Sequence, residues 1–219
     1  MIQNKELKLR NKYWIKIHKK GIFTEFPDSE TIGLFKSKFN NKNYKILELG
    51  CGSGNNQIFF RKFYSNVFGI DISHNAIQNA KKMLHKNNIK NKKHLYVMDI
   101  NDAHRLNKKF DIIFDYRAIS NLPLKNIKII FFNIKKLMKL KSFFIFRFYS
   151  KKWKKNDGQK INIGKTKNIS LTTLNKKDII KIIPKNFKIL HFQEKINYDI
   201  IYNKIQFSEF YLIIQLVKL

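Results

Sequence analysis

The chain is short of cysteine, of acidic residues and of arginine, and each shortage excludes something. One cysteine, Cys51, among 219 residues cannot close an internal disulfide. A disulfide-stapled secreted protein is therefore excluded, and a cytoplasmic location is the expectation. No apolar run approaches the ~18 residues that cross a bilayer. The strongest runs, Ser142–Phe148 and Tyr211–Val217, have only strand length. Met1–Glu6 lacks a charged start followed by an apolar stretch, so no signal peptide is expected. The histidines (His18, His74, His85, His94, His104 and His191) show no ligand spacing with the cysteine. No structural zinc, and no metal site, is predicted.

Charge is one-sided. Lys and Arg number 45 against 15 Asp and Glu, a formal net charge of +30, yet only five of the 45 are arginines. Such a surplus fits a polyanion-binding surface. It equally fits an A/T-rich coding bias, which enriches Lys, Asn, Ile and Phe whatever the function. The lysines are spread along the chain, and nucleic-acid readers favour the planar arginine fork. Nucleic acid is admitted as a partner but not favoured.

What is present is a repeated unit of strand and helix. Apolar runs predict strands at Lys45–Leu49, Asn66–Asp71, His94–Asp99, Phe110–Asp115 and Ser142–Phe148. Between them, Asn55–Tyr64, His74–Asn87 and Leu124–Leu140 carry helical spacing, with Ser73 placed as an N-cap. Alternation of this kind implies a parallel sheet covered by helices on both faces. Pro27-Asp28-Ser29 starts a helix before the first strand. Lys151–Asn168 reads as a long polar loop over one face of the sheet. A short helix, Lys176–Ile183, precedes two closing strands, Phe187–Gln193 and Phe207–Val217. At this length one domain is the simplest reading: 1–40 as a helical cap, 45–150 as the ligand-binding half, and 151–219 as a substrate-side loop with the closing strands.

The first strand ends in Glu48-Leu-Gly50-Cys51-Gly52-Ser53-Gly54. Glycines here let the backbone turn tightly and let a ligand lie on bare main chain. A dinucleotide fingerprint needs a third glycine at 55 or 57, and those positions hold Asn55 and Gln57. Asp71, Asp99 and Asp115 each end a predicted strand, where open α/β sheets bind ligands. Random placement at the overall acid frequency gives that set a probability on the order of 10⁻³ or less.

The pattern Glu48-x-Gly50-x-Gly52-x-Gly54 resembles motif I of the class I S-adenosylmethionine (SAM)-dependent methyltransferases, and the likeness covers residues 45–150 well. It implies a Rossmann-like, mostly parallel seven-stranded sheet whose last strand inserts antiparallel between the fifth and sixth. It also implies SAM as cofactor. The loop Gly50-Cys51-Gly52-Ser53-Gly54 would pass under the methionine part of SAM. Asp71 would hold the ribose and Ile72 pack on the adenine. Asp99 and Ile100 would meet the adenine edge, and Asp115 would lie near the methionine moiety and the acceptor. Glu48 is placed near the SAM amino group or as a support of the glycine loop. Cys51 reads as a small loop residue rather than a nucleophile. Asp115 and His104 are the candidate bases for a hydroxyl acceptor, neither identified by spacing.

Asp115-Tyr-Arg after the fourth strand departs from the Asn/Asp-Pro-Pro-Tyr of adenine-amine methyltransferases. The form is similar to the small-molecule branch, which implies a small-metabolite acceptor such as a sugar or glycan precursor. The alternatives are an RNA methyltransferase using the basic surface and a SAM-binding module without turnover. Tyr13 and Trp14, followed by Phe23–Phe26, resemble the aromatic N-terminal segment that closes over SAM in some of those enzymes.

Overall fold

The computed structural model describes residues 5–21, 26–153, 160–161, 169–199 and 204–219. Two helices lead, α1 (Lys5–Lys19) and α2 (Ser29–Lys38). The Asp28 carboxylate caps α2 by accepting the Thr31 N–H at 2.8 Å. There follow β1 (Lys45–Leu49), α3 (Asn55–Phe63), β2 (Asn66–Asp71), α4 (His74–Lys86), β3 (Leu95–Val97), β4 (Phe110–Tyr116), α5 (Leu124–Leu137) and β5 (Met138–Tyr149). A two-residue ribbon of β6 (Lys160–Ile161) and β7 (Ile169–Ser170) comes next. It is followed by α6 (Lys176–Ile182), β8 (Phe187–Asp199) and β9 (Lys204–Leu216). Phe23–Glu25 and most of the expected loop Lys151–Asn168 lie outside the described residues.

The seven-stranded sheet has the order β3-β2-β1-β4-β5-β9-β8. β1 to β5 are parallel, and β9 runs antiparallel between β5 and β8. This is the Rossmann-like arrangement that the resemblance implies. Three boundaries differ from expectation. The helix predicted to reach Leu140 stops at Leu137, because Met138 is already paired with Phe110 in the sheet. β3 keeps only three residues of His94–Asp99, because Asp99 turns away to cap the 3-10 helix Ile100–Leu106. The closing strands run on to Asp199 and start at Lys204, forming one long hairpin.

The strands are apolar on both sides because both sides are covered. Leu47, Ile113, Phe144, Phe146 and Leu212 face one core, with Ile127, Phe131 and Ile134 of α5. Ile46, Ile112, Phe114, Ile145 and Ile213 face the other, with Phe35 of α2 and Phe59 and Phe60 of α3. Phe35 sits at the centre of this second core, 4.7 Å from Phe60 and 5.7 Å from Phe114 between ring centroids. Such pairs contribute about 0.5–1.5 kcal/mol beyond burial. They clamp α3 against β1 and β4, and so hold the glycine turn between β1 and α3 in place.

Candidate functional site

The turn after β1 is left-handed three times over: φ is +61° at Gly50, +53° at Gly52 and +87° at Gly54. Each glycine has its own neighbour. A Cβ on Gly50 would meet Ala118 Cβ at 2.3 Å, and one on Gly54 would meet Ala80 Cβ at 2.9 Å. These two make room for protein, the β4–α5 loop and α4 respectively. A Cβ on Gly52 would reach 3.4 Å from His18 Cε1, across the open crevice. Gly52 is therefore the one of the three whose missing side chain leaves room toward the cavity, although Gly50 main chain lines it too.

Asp71 closes β2 beside this turn and is buried. Its Oδ2 accepts the Gly52 N–H at 3.0 Å, and its Oδ1 accepts the Ser73 N–H at 2.9 Å. Each oxygen keeps a second lone pair for a ligand. Burial raises its pKa, against the Ser73 and Gly52 N–H groups and His18. His18 is pulled down by its own burial, against the attraction of Asp71.

These groups open into a cavity of about 330 Å³ at the carboxyl ends of β1, β2 and β4. Gly50, Gly52 and Ser53 form its floor, and Ile72, Asp99 and Ile100 line one end. Tyr116, Arg117, Ala118, Asn121, Leu122 and Tyr149 also line it. Arg10, Asn11, Trp14, Ile17 and His18 of α1 line it as well, as a roof. Asn11 Nδ2 donates to Asp99 Oδ2 at 3.3 Å, and Ser53 Oγ lies 3.4 Å from His18 Nδ1. No described lysine lines it.

A bare-glycine floor, a buried acid at the end of the neighbouring strand and apolar walls beside it suit a nucleoside carrying a flexible cationic chain. The family model described as "Methyltransferase domain" matches residues 40–180, well over half of the chain. The chain belongs to that family. It is a class I methyltransferase that uses SAM.

Solved structures carry the same fold. A SAM-dependent methyltransferase of Anabaena variabilis aligns at TM-score 0.69 with 13% identity, over 97% of this chain and 95% of that one. One from Clostridium acetobutylicum aligns at 0.66 with 17% identity, over 98% and 100%. The magnesium protoporphyrin IX methyltransferase of Synechocystis PCC 6803, solved with bound SAM, aligns at 0.64 with 14% identity, over 98% and 85%. No curated protein matches the sequence at a significant level.

Of the residues singled out in the methyltransferase sequence, Gly50, Gly52, Ser53, Asp71, Ile72, Asp99 and Ile100 line the cavity. Glu48, Cys51, Gly54, Asp115 and His104 do not. The Glu48 carboxyl is buried under the turn, where it accepts Asn56 Nδ2 at 3.1 Å and Gln57 Nε2 at 2.7 Å. Both amides belong to the first turn of α3, directly after the glycine turn. Burial, opposed by those amides, pushes its pKa up to about 7. The Cys51 thiol points back into β2, 3.1 Å from where a Cβ on Gly69 would stand, and burial drives its pKa well up. Gly54 is filled by α4.

Asp115 is fully buried. Its Oδ1 accepts the Ile119 N–H at 3.1 Å, and its Oδ2 has no hydrogen-bond partner among the described residues. Burial drives its carboxyl well above the ordinary range, against the backbone N–H groups of Ile119, Ala118 and Arg117, and its bond to Ile119 braces the turn that carries Arg117. His104 is half-buried on the 3-10 helix, away from the cavity lining. Asp99 Oδ1 is engaged by Asn101 N at 2.9 Å and Asn101 Nδ2 at 2.7 Å. Trp14 lines the cavity, while Tyr13 is buried beside it with ring centroids 5.3 Å apart.

Sequence reasoning singled out Trp14 of the α1 roof but missed Arg10, Asn11, Ile17 and His18 beside it, and Asn55, Tyr116, Arg117, Ala118, Asn121, Leu122 and Tyr149. The scarce arginines were the available signal. Arg147 is buried and binds Asp28 at 2.7 Å, Glu30 at 2.9 Å and Glu209 at 3.1 Å. Arg117 binds Glu209 at 2.7 Å. Arg61 donates to the carbonyls of Val67, Asn91 and Lys93. Arg10 lines the cavity. Four of five arginines thus occupy sites that use a planar fork or a buried cation.

Proposed function

We propose that this methyltransferase acts on a small metabolite, a sugar or glycan precursor, held in a chamber between α1 and the strand ends. The observation that carries the reading is the lining. The chain has a net charge of +30, yet no described lysine lines the chamber, and α1 roofs it. A site that tracks a nucleic-acid backbone would turn its cations to an open groove. Tyr116, Tyr149 and Asn121 supply flat faces and hydrogen-bonding groups suited to a sugar.

In this reading Asp71 holds the ribose hydroxyls of SAM, Ile72 and Ile100 pack on the adenine, Asp99 meets its edge, and the Gly50–Ser53 main chain underlies the methionine part. When bound, SAM supplies a methyl group already activated on sulfur. The protein's part is alignment, which contributes about 7–11 kcal/mol in well-oriented reactions. We assign no proton transfer to Asp115 or His104, since neither lines the chamber. The lone, buried thiol of Cys51 supports a cytoplasmic setting.

The test is to incubate the protein with labelled SAM and cell extract, then separate metabolite, glycan, protein and RNA fractions. Label in the metabolite or glycan fraction is the expected result. Label in RNA, with affinity that falls steeply with salt, establishes the RNA reading instead. Tight SAM binding without label in any fraction establishes a binding module.

A further inference from the structure

Building on the small-acceptor reading above, we propose that Arg117 is the specificity-determining residue of the chamber. The acceptor then carries an anionic group, a carboxylate or a phosphate, that docks on its guanidinium.

Arg117 stands at the end of β4 with φ +67°, a left-handed conformation that a residue with a side chain adopts only where its surroundings overdetermine it. Those surroundings are on both sides of it. Its carbonyl accepts Ser120 Oγ at 2.9 Å and Asn121 Nδ2 at 2.8 Å. Its Nε donates to Glu209 Oε2 at 2.7 Å, and its Nη2 donates to Tyr116 Oη at 3.0 Å and Glu209 Oε1 at 3.4 Å. The guanidinium lies over the Tyr116 ring at 4.4 Å and the Phe207 ring at 4.6 Å. The fork is therefore oriented in advance, and Nη1 makes no hydrogen bond to a carboxylate among the described residues.

Glu209 does not belong to Arg117 alone, because its Oε1 also accepts Arg147 Nη1 at 3.1 Å. The carboxylates that line the chamber, Asp71 and Asp99, are both committed to the cofactor in the reading above. Tyr116, Arg117, Asn121 and Tyr149 present none of their own. A second guanidinium, Arg10, lines the same chamber from α1. A fixed planar fork, held by Glu209 from its Nε and Nη2 side while that acid is shared with Arg147, keeps Nη1 unmatched by a carboxylate among the described residues and suits a carboxylate or phosphate better than a neutral polar group.

The experiment divides small molecules from a cell extract on an anion exchanger before reaction. The retained and unretained pools, and the RNA and protein fractions, are each offered with labelled SAM. Dividing the acceptors beforehand keeps the result independent of any charge lost on methylation. We expect label to enter the retained pool. Arg117→Gln and Arg117→Lys should each raise the amount of pool needed for half-maximal rate by about tenfold or more. Affinity for S-adenosylhomocysteine should stay near that of the parent, measured below the melting temperature, which the loss of a Glu209 partner lowers. If Arg117→Gln unfolds, Arg117→Lys carries the comparison, and the pool result stands without either variant. Methylation confined to the unretained pool, or an unchanged requirement for the retained pool in the folded variants, overturns the assignment and leaves the small-acceptor reading in place. Label confined to RNA or protein, or found in no fraction, overturns that reading and the assignment with it.

Discussion

Asp71 Oδ2 accepts the backbone N–H of Gly52, 19 residues earlier, at 3.0 Å. The acid proposed to hold the cofactor sugar thus also sets the bend of the glycine turn. Asp71→Ala removes both. A hydrogen bond to a charged group is worth about 1.5–3 kcal/mol, so SAM affinity should fall on the order of 10- to 100-fold. Calorimetric titration of SAM measures this, and an unchanged Kd takes Asp71 out of the site.

Gly52 and Gly54 should fail differently when substituted. Both have positive φ, but only Gly52 faces the cavity, and Gly54 is pressed against Ala80. Gly52→Val should abolish SAM binding while the melting transition stays cooperative. Gly54→Val should lower the melting temperature first, because its Cβ meets helix backbone and side chain at about van der Waals overlap. Equal loss of stability in both variants would contradict this division.

Arg147 is a buried cation shared by Asp28, Glu30 and Glu209. Removing one partner of a buried ion network strands the rest, at a cost of about 3–5 kcal/mol. Arg147→Met should lower the urea midpoint by a corresponding amount. A loss below about 1 kcal/mol, the range of an exposed pair, would show that the three acids find water or other partners instead.

Glu48 gives a pH signature. Its folded pKa, pushed up to about 7, lies above the ordinary 4.5, so between those values the folded protein binds more protons than the unfolded chain. Stability should therefore fall as pH rises from about 4.5 to about 7 and level off above, a change of order 3 kcal/mol. Glu48→Gln should flatten that slope. Denaturant midpoints at pH 5, 6, 7 and 8 in both proteins measure it, and parallel pH curves would remove Glu48 as the cause.

Much of the frame was legible because it rests on local chemistry. Ile46, Leu47 and Leu49, Val67–Ile70 and Ile112–Phe114 put apolar residues on both faces, and a strand covered on both sides leaves that mark in a single chain. Ser73 and Asp28 announce helix starts through their own side chains. Boundaries were less legible where nothing local breaks the chain. Lys135–Lys141 contains no glycine or proline, and only the pairing of Met138 with Phe110 decides where helix becomes strand.

The residues alone determined the alternation of strand and helix, the glycine turn and the acids at the strand ends, because turning, capping and alternation are short-range properties, whereas the strand order rests on pairings between distant segments. Which of those groups meet a ligand was a matter of depth. Asp115 and Asp71 look alike as strand-ending acids, yet one is sealed behind the Arg117 turn and the other lines the cavity. The roof from α1, and the bond of 119 residues' separation between Arg147 and Asp28, exist only in three dimensions. Distant segments share a chamber because the sheet brings their ends to one edge, and no local pattern encodes that distance.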